Sequence, residues 1–375
     1  MPPEGPCRPT TANHPSGFLF CRKELLWRLL FHGWLVVVLA LLPTAVQAGK
    51  KKAADLVKDG QPIDLQQEKY RQLFQELRDK HHFREDELKR YFNGLTISKR
   101  VLELMDRQWE ARPYYKYYPL FITPKNILQG RKKLQQHREL LDRIEEAFGV
   151  DREVVIAIWA IESRFGSHQG KFNVLQTLNT LFDAYPRRSR FFRTQLVHFL
   201  LLCRENGIDP KSVKGSYAGA FGQTQFIPSS FRAYAVSFDG NEQRDVWHSV
   251  PDILASIANY LKRYHWTLRA PIYVELGHEL RDPRLIAAQL KGRKGRVAWD
   301  IVRQAQGIDI PPSPGNRPLS IVALELGPKS AHRIRYVAGY PNFQAITEWN
   351  HSNRYAMAVA ELAEAIAATP RLSRN

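Results

Sequence analysis

Glu162 lies at the end of a largely apolar run, Glu153 through Ile161, and is followed at once by Ser163-Arg164-Phe165-Gly166. Read as a helix, the run places Val155, Ile158, Trp159 and Glu162 at i, i+3, i+4 and i+7, so the carboxyl group shares a stripe with large hydrophobes. Such a stripe faces a core, where a carboxylate loses water, and the last helical turn also sets it against the negative pole of the macrodipole. Both effects disfavour the charged form and raise the pKa. A glutamic acid that stays protonated near neutrality is what general-acid cleavage of a glycosidic bond requires. The alternative is that the helix simply stops here and the side chain turns out into water.

A second stretch, Gly215 to Phe231, is too rich in glycine to be regular throughout: Gly215, Gly219 and Gly222 fall within eight residues. Ser216, Tyr217, Gln223 and Gln225 add neutral hydrogen-bonding groups, a lining suited to hydroxyls and acetamides. The same composition fits a plain connection before a helix capped by Ser229 or Ser230. No carboxylate occurs from 215 to 231, and no obvious second acid accompanies Glu162. Standard glycosidases use two acids roughly 5 to 10 Å apart. One acid suffices when the substrate brings its own nucleophile, as a 2-acetamido sugar can.

Trp109, Tyr114, Tyr115, Tyr117 and Tyr118, interleaved with Arg112, Pro113 and Lys116, can stack on sugar faces or pack against loops. Arg187 and Arg188 precede a helix predicted from Ser189, where positive charge opposes the macrodipole; they suit substrate carboxylates or form a solvated pair. Asp239, Asn241 and Asp245 present oxygens like the start of a calcium loop, but glycine is not sixth, Arg244 intrudes and the closing Glu is missing. A turn is expected there, and no metal or other cofactor. Neither a His/Cys cluster, nor a phosphate-cradling loop, nor a Ser-His-Asp signature stands out.

The elements that must position these groups are mostly helices, predicted over 65–79, 84–92, 97–109, 124–148, 151–163, 189–205, 229–236, 250–264 and 351–367, with Asp151 as an N-cap. Past Tyr264, prolines and a basic run at 291–296 predict loops and a smaller lobe, in which Leu319–Leu326 and Arg333–Val337 form a hairpin through Gly327-Pro328-Lys329-Ser330. Residues 1–48 read as a cleavable signal peptide with an extended basic leading segment. Arg22, Lys23 and Arg28 precede an apolar run, Leu29 to Leu42, and Val46-Gln47-Ala48 offers small residues for cleavage before Gly49. That run is shorter than the roughly 20 residues of a spanning helix, so an uncleaved anchor is the lesser alternative. Export to the periplasm is expected.

Residues 49–64 read as a basic lead-in. Without the leader's +2, the net charge of +18 becomes +16, which implies an anionic partner. Scattered Lys and Arg, no nucleic-acid module and an export signal argue against nucleic acid. Cys203, alone after the leader, allows no internal disulfide.

Taken together, Ile158-Trp159-Ala160-Ile161-Glu162-Ser163-Arg164-Phe165-Gly166, the 215–230 loop, Ala258-Asn259-Tyr260, Tyr185-Pro186-Arg187-Arg188 and the stretch from Phe343 to Ala356 resemble the lytic transglycosylases of the membrane-bound lytic murein transglycosylase B family. The resemblance covers most of the chain past the leader. It implies a mainly α fold of the α+β kind: a lysozyme-like helical core, about 124–265 plus 351–367, with an additional helical lobe and a small β-hairpin lobe at about 266–345, all within 65–370. It implies non-hydrolytic cleavage of the β-1,4 bond between N-acetylmuramic acid and N-acetylglucosamine, giving a 1,6-anhydro product, with Glu162 acting as acid and then base. Position by position, Ser216, Tyr217 and Gln225 resemble groove-lining groups, and Arg187, Arg188, Tyr260 and Asn350 groups that hold glycan or peptide; Tyr117 is counted with them from the aromatic cluster. Trp349 stands where the family often has tyrosine, keeping a stacking ring and losing a hydroxyl, which puts any hydrogen bond assigned there in question. The Asp239 segment departs from the family's calcium loop, and no cysteine follows the apolar leader run for lipid attachment. Glycan strands are the implied partner, with cell-wall synthases as further candidates, and a monomer is expected. A hydrolytic muramidase and a non-catalytic wall-binding scaffold are the competing readings.

Overall fold

The computed structural model describes residues 52–107 and 112–368. The leader, its cleavage site and Trp109 lie outside the described residues. From the N-terminal side, α1 (Glu68–Asp79), α2 (Glu85–Phe92), α3 (Lys99–Met105) and the single turn α4 (Tyr114–Tyr117) lead into α5 (Pro124–Gln136), α6 (Arg138–Phe148) and α7 (Arg152–Ser163). The chain continues through β1 (Phe172–Asn173), α8 (Val174–Ala184), α9 (Ser189–Glu205), β2 (Lys214–Gly215), α10 (Pro228–Tyr234) and α11 (Val250–Arg263). The last part comprises β3 (Tyr273–Gly277), α12 (Pro283–Leu290), α13 (Trp299–Gln306), β4 (Ser320–Glu325), β5 (Ile334–Gly339), α14 (Pro341–Asn350) and α15 (Asn353–Ala367).

Helix α7 forms the axis of the core. Every residue from Val154 to Ala160 is buried, so it is apolar on all sides and needs neighbours on all sides; α5, α6, α11 and α15 supply them. Truncating one such side chain, Ile158→Ala for example, removes both transfer energy and packing, about 2–5 kcal/mol.

Three sequence expectations need correction. The predicted helix 124–148 is two helices that bend at His137 (φ −112°, ψ 25°). Neither Pro nor Gly causes the bend: α5 packs on α7 and α15, whereas α6 turns its Leu141 and Ile144 toward α11, and one straight rod cannot serve both. Asp151 stands at the N-cap of α7 but makes no cap bond. Its carboxylate instead accepts from Trp266 Nε1 at 2.7 Å and from the Arg269 N–H, tying the helix start to the loop after α11. The smaller lobe holds α12, α13 and a third strand besides the predicted hairpin. Helix α8, unmarked in the sequence reading, buries Thr177, Asn179 and Thr180 beside its apolar residues; burial there overrides weak propensities.

Strands β3, β5 and β4 pair in that order, all antiparallel, with Ser320 opposite Gly339 and Glu325 opposite Ile334. The pleat separates two cores. Val322, Leu324 and Val337 join the main one, while Ile321 and Ala338 join a second, built with Leu285, Val302 and Tyr340. The lobe is also pinned by charge, since Arg335 pairs with Glu361 of α15 and with Glu275, and Arg354 pairs with Glu325.

Candidate active site

Helix α7 ends abruptly just after Glu162. Arg164 and Phe165 both adopt the left-handed region (φ 49° and 57°), uncommon for residues with side chains, and Gly166 follows at φ 87°. The Ser163 hydroxyl accepts the Gly166 N–H at 3.1 Å, and the His168 N–H returns to the Ser163 carbonyl at 2.9 Å. A Cβ at Gly166 would sit 2.5 Å from Gln223 Oε1, so only glycine lets the turn close on the loop beyond.

Gln223 is the clamp between that turn and the glycine-rich loop. Its Oε1 accepts from Trp159 Nε1 at 2.8 Å and its Nε2 donates to the Trp247 carbonyl at 2.7 Å. Gln223 therefore serves the fold, not the lining that its type suggested. The short ladder of β1 and β2 holds the loop's start, where Phe172 lies opposite Gly215. A Cβ at Gly215 would come within 2.2 Å of the Ala220 carbonyl oxygen, so the loop folds back on itself only without a side chain there.

Glu162 is half-buried, and its surroundings are aromatic. The Tyr355 hydroxyl, from the first turn of α15, donates to Glu162 Oε1 at 2.6 Å, and Trp349 of α14 lies close enough to favour the charged carboxylate as well. Loss of water pushes the Glu162 pKa up to about 7, against the lowering effect of Tyr355 and Trp349. Tyr355 is fully enclosed, and its pKa is driven well up by burial and by the adjacent carboxylate, so it stays a donor. The sequence reading missed Tyr355 because it falls on the buried stripe of an apolar helix; only its hydroxyl hinted at more.

Trp349 also opens onto a cavity of about 350 Å³, lined by Gln225, Phe226, Ser229, Tyr234, Tyr260 and Glu348 among others. Ring centroids lie 4.5 Å apart for Tyr260 and Trp349 and 5.1 Å for Phe226 and Trp349. The Tyr260 hydroxyl donates to the Glu348 carbonyl at 2.7 Å, fixing α14 against α11. Glu348, which the sequence did not single out, is paired with Arg293 at 2.5 Å. Asn350, at the end of α14, has its Oδ1 buried without a protein partner among the described residues, an acceptor left for a ligand or solvent.

The other expected groups are more dispersed. Gln225 takes a left-handed conformation (φ 49°), its amide donates to the Gly222 and Gln169 carbonyls, and the residue lines the cavity. The Ser216 hydroxyl accepts from the Ala218 and Ala220 N–H groups and shapes the loop, while Tyr217 is half-buried beside it. Tyr117 is buried against Phe121 and close enough to Tyr355 to influence its ionisation. Of its neighbours, Tyr114 is no sugar platform, because its hydroxyl is bound to Glu361 at 2.5 Å inside the protein. Arg187 pairs with Asp106 at 2.7 Å and lies over Tyr185; Arg188 lies 4.2 Å from the Phe191 ring centre. Neither lines the aromatic cavity.

No group of three or more His, Cys, Asp or Glu that could hold a metal occurs among the described residues. In the Asp239 segment, Asp239 accepts from Ser249 and Asn241, and both the Trp247 and His248 N–H groups bind Asp245 Oδ1. The oxygens that a calcium ion would need thus close turns, and the segment does not fit a calcium loop.

An acid at a helix terminus, a glycine-rich loop and an aromatic cavity on a mainly helical lysozyme-like fold define a class of wall-degrading enzyme. The family described as the transglycosylase SLT domain matches residues 66–364. Membrane-bound lytic murein transglycosylase B of Escherichia coli (strain K12) is 33% identical over 306 residues, spanning 79% of this chain and 82% of that protein. The structure of the Escherichia coli lytic transglycosylase Slt35 in complex with calcium superposes with a TM-score of 0.70 at 32% identity, covering 84% of this chain and 96% of that one. SltB3 from Pseudomonas aeruginosa, in complex with NAG-anhNAM-pentapeptide, superposes with a TM-score of 0.65 at 34% identity, covering 80% and 79%. The chain belongs to the lytic transglycosylases of the membrane-bound lytic murein transglycosylase B family, and it is an enzyme.

Proposed function

We propose that the protein cleaves the β-1,4 bond between N-acetylmuramic acid and N-acetylglucosamine without water, using Glu162 alone as acid and then base. The carrying observation is Glu162 at the end of α7, half-buried and bound by the Tyr355 hydroxyl at 2.6 Å; burial also raises its pKa. Protonated Glu162 gives its proton to the oxygen leaving with N-acetylglucosamine. The muramoyl acetamido group supports the anomeric carbon as the bond breaks. Glu162, now ionised and steadied by the Tyr355 donor, takes the proton of the C6 hydroxyl as that oxygen closes the 1,6-anhydro ring. Proton and bonds balance, and no second carboxylate is needed. Glu348 lines the neighbouring cavity, but its pairing with Arg293 commits it to the fold.

Tyr117, Ser216, Tyr217, Gln225, Tyr260 and Asn350 are read as groove contacts to the glycan, and Arg187 and Arg188 as contacts at its edge. No metal or other cofactor takes part. Residues 65–370 are read as the catalytic domain behind a cleavable export signal, which places a monomeric enzyme in the periplasm, on glycan strands and within reach of cell-wall synthases. Among the described residues no helix is long and apolar enough to cross a membrane.

The test is mass spectrometry of muropeptides released from purified sacculi by the chain from Gly49 onward, beside Glu162→Gln. Products lacking one water relative to hydrolysis, absent with the variant, are expected. Hydrated products would identify a muramidase instead, and wall binding without any product would identify a scaffold.

A further inference from the structure

Between α5 and the turn after α7 lies a larger cavity, of about 720 Å³, whose walls include Leu120, Lys125, Lys132, Lys133, Arg164 and Phe165. No aspartate or glutamate lines it. Lys125, Lys132, Lys133 and Gln136 fall at i, i+7, i+8 and i+11, one stripe of α5, which aims the three ammonium groups at one hollow. The stripe is braced: Lys133 Nζ donates to Gln136 Oε1 at 2.9 Å and sits 5.5 Å from the Trp159 ring centre. Arg164 caps α7 two residues beyond Glu162, and Phe165 meets Trp159 edge-on at 5.2 Å. Cations gathered in a concavity without acids repel one another until an anion arrives. The apolar wall of Leu120 and Phe165 asks for more than a bare anion; a short peptide bearing carboxylates satisfies both.

We infer that this cavity seats the carboxylates of the peptide carried by the muramoyl residue, and so holds that sugar beside Glu162. The inference rests on the reading of the groove as a peptidoglycan site. It moves the task of peptide recognition from Arg187 and Arg188, already engaged with Asp106 and aromatic rings, to the α5 stripe. An anionic lipid surface is the less suited occupant, because a flat bilayer cannot enter a hollow.

The test uses Glu162→Gln protein, which leaves ligand uncut, titrated calorimetrically with a disaccharide bearing its tetrapeptide and with the same disaccharide stripped of peptide. A companion protein adds Lys125→Gln and Lys132→Gln, both at exposed positions that the fold does not need. Two charge-assisted contacts are worth roughly tenfold or more in affinity. The peptide-bearing ligand is therefore expected to bind at least about tenfold tighter than the bare one, with that ratio collapsing toward unity in the companion protein. A ratio near unity from the start, or one that survives the lysine changes, overturns the pocket assignment and leaves the groove reading standing. If neither saccharide binds, both readings fail together. Lysine-dependent sedimentation with phosphatidylglycerol vesicles, with the ratio unchanged, would assign the cations to a lipid surface and overturn the inference as well.

Discussion

In the proposed mechanism one proton on the Glu162 carboxyl serves both catalysis and stability. With its pKa raised from 4.5 to about 7, the folded state holds a proton that the unfolded state releases between those values. Stability from this group is complete below about pH 4.5 and is lost as pH rises through 7, by up to about 3 kcal/mol. Glu162→Gln is thus expected to unfold at a higher temperature than the parent at pH 8 and to match it near pH 4.5, which thermal melts at the two pH values would check; equal shifts at both would count against the assigned pKa. Turnover should fall in the same window, because the acid that must donate is then ionised. Tyr355→Phe removes a donor that favours the charged form, so the alkaline fall of activity should move to higher pH, with turnover down about 10- to 100-fold for loss of the base's support; a pH–rate profile decides. Glu162 was legible in the sequence because one acid interrupts an apolar stripe. Tyr355 was not, since a buried tyrosine on a helix reads as core until a partner 193 positions away is placed against it.

At the scale of elements, the placement of Glu162 depends on how α7 stops. The turn from Ser163 to Gly166 spends two residues with side chains in left-handed backbone, a strain of about 1–3 kcal/mol each that the surrounding bonds maintain. Gly166→Ala adds a carbon where Gln223 must lie, and it is expected to cost about 1–3 kcal/mol by freeing the Trp159 indole from its acceptor. A urea midpoint shift together with reduced tryptophan burial would be the signature; an unshifted midpoint would mean that Gln223 is dispensable. Periodicity located α7, α9, α11 and the β4–β5 hairpin, where one face or all faces are consistently apolar. It failed at His137, where the partner helix changes without any local mark, and at Asp151, where a side chain with cap chemistry is drawn to Trp266 instead. Strand β3 was hidden because its residues from Tyr273 to Gly277 are mostly half-exposed and its pairing partner β5 lies far along the chain.

For the whole molecule, the net charge of +18 dwarfs any single contact in reach, though not in specificity. Association with anionic sacculi is expected to weaken several-fold between about 0.05 and 0.5 M salt, as the screening length shrinks from roughly 14 Å to 4 Å. Sedimentation of the Glu162→Gln protein with purified walls would measure it, and insensitivity to salt would show that groove contacts dominate capture. The same binding should be indifferent to reductant: Cys203 is the free, buried cysteine of the described residues, and nothing in the core is stapled by sulfur.

Tyr355 belongs to α15, the last helix of the described chain, and it closes on an acid in α7 near the middle. A ribosome delivers residue 162 long before residue 355. During that interval the nascent chain carries its acid without the hydroxyl that donates to it. Under the proposed mechanism the order of synthesis is then a safety catch, set by nothing more than where in the sequence one hydroxyl was placed.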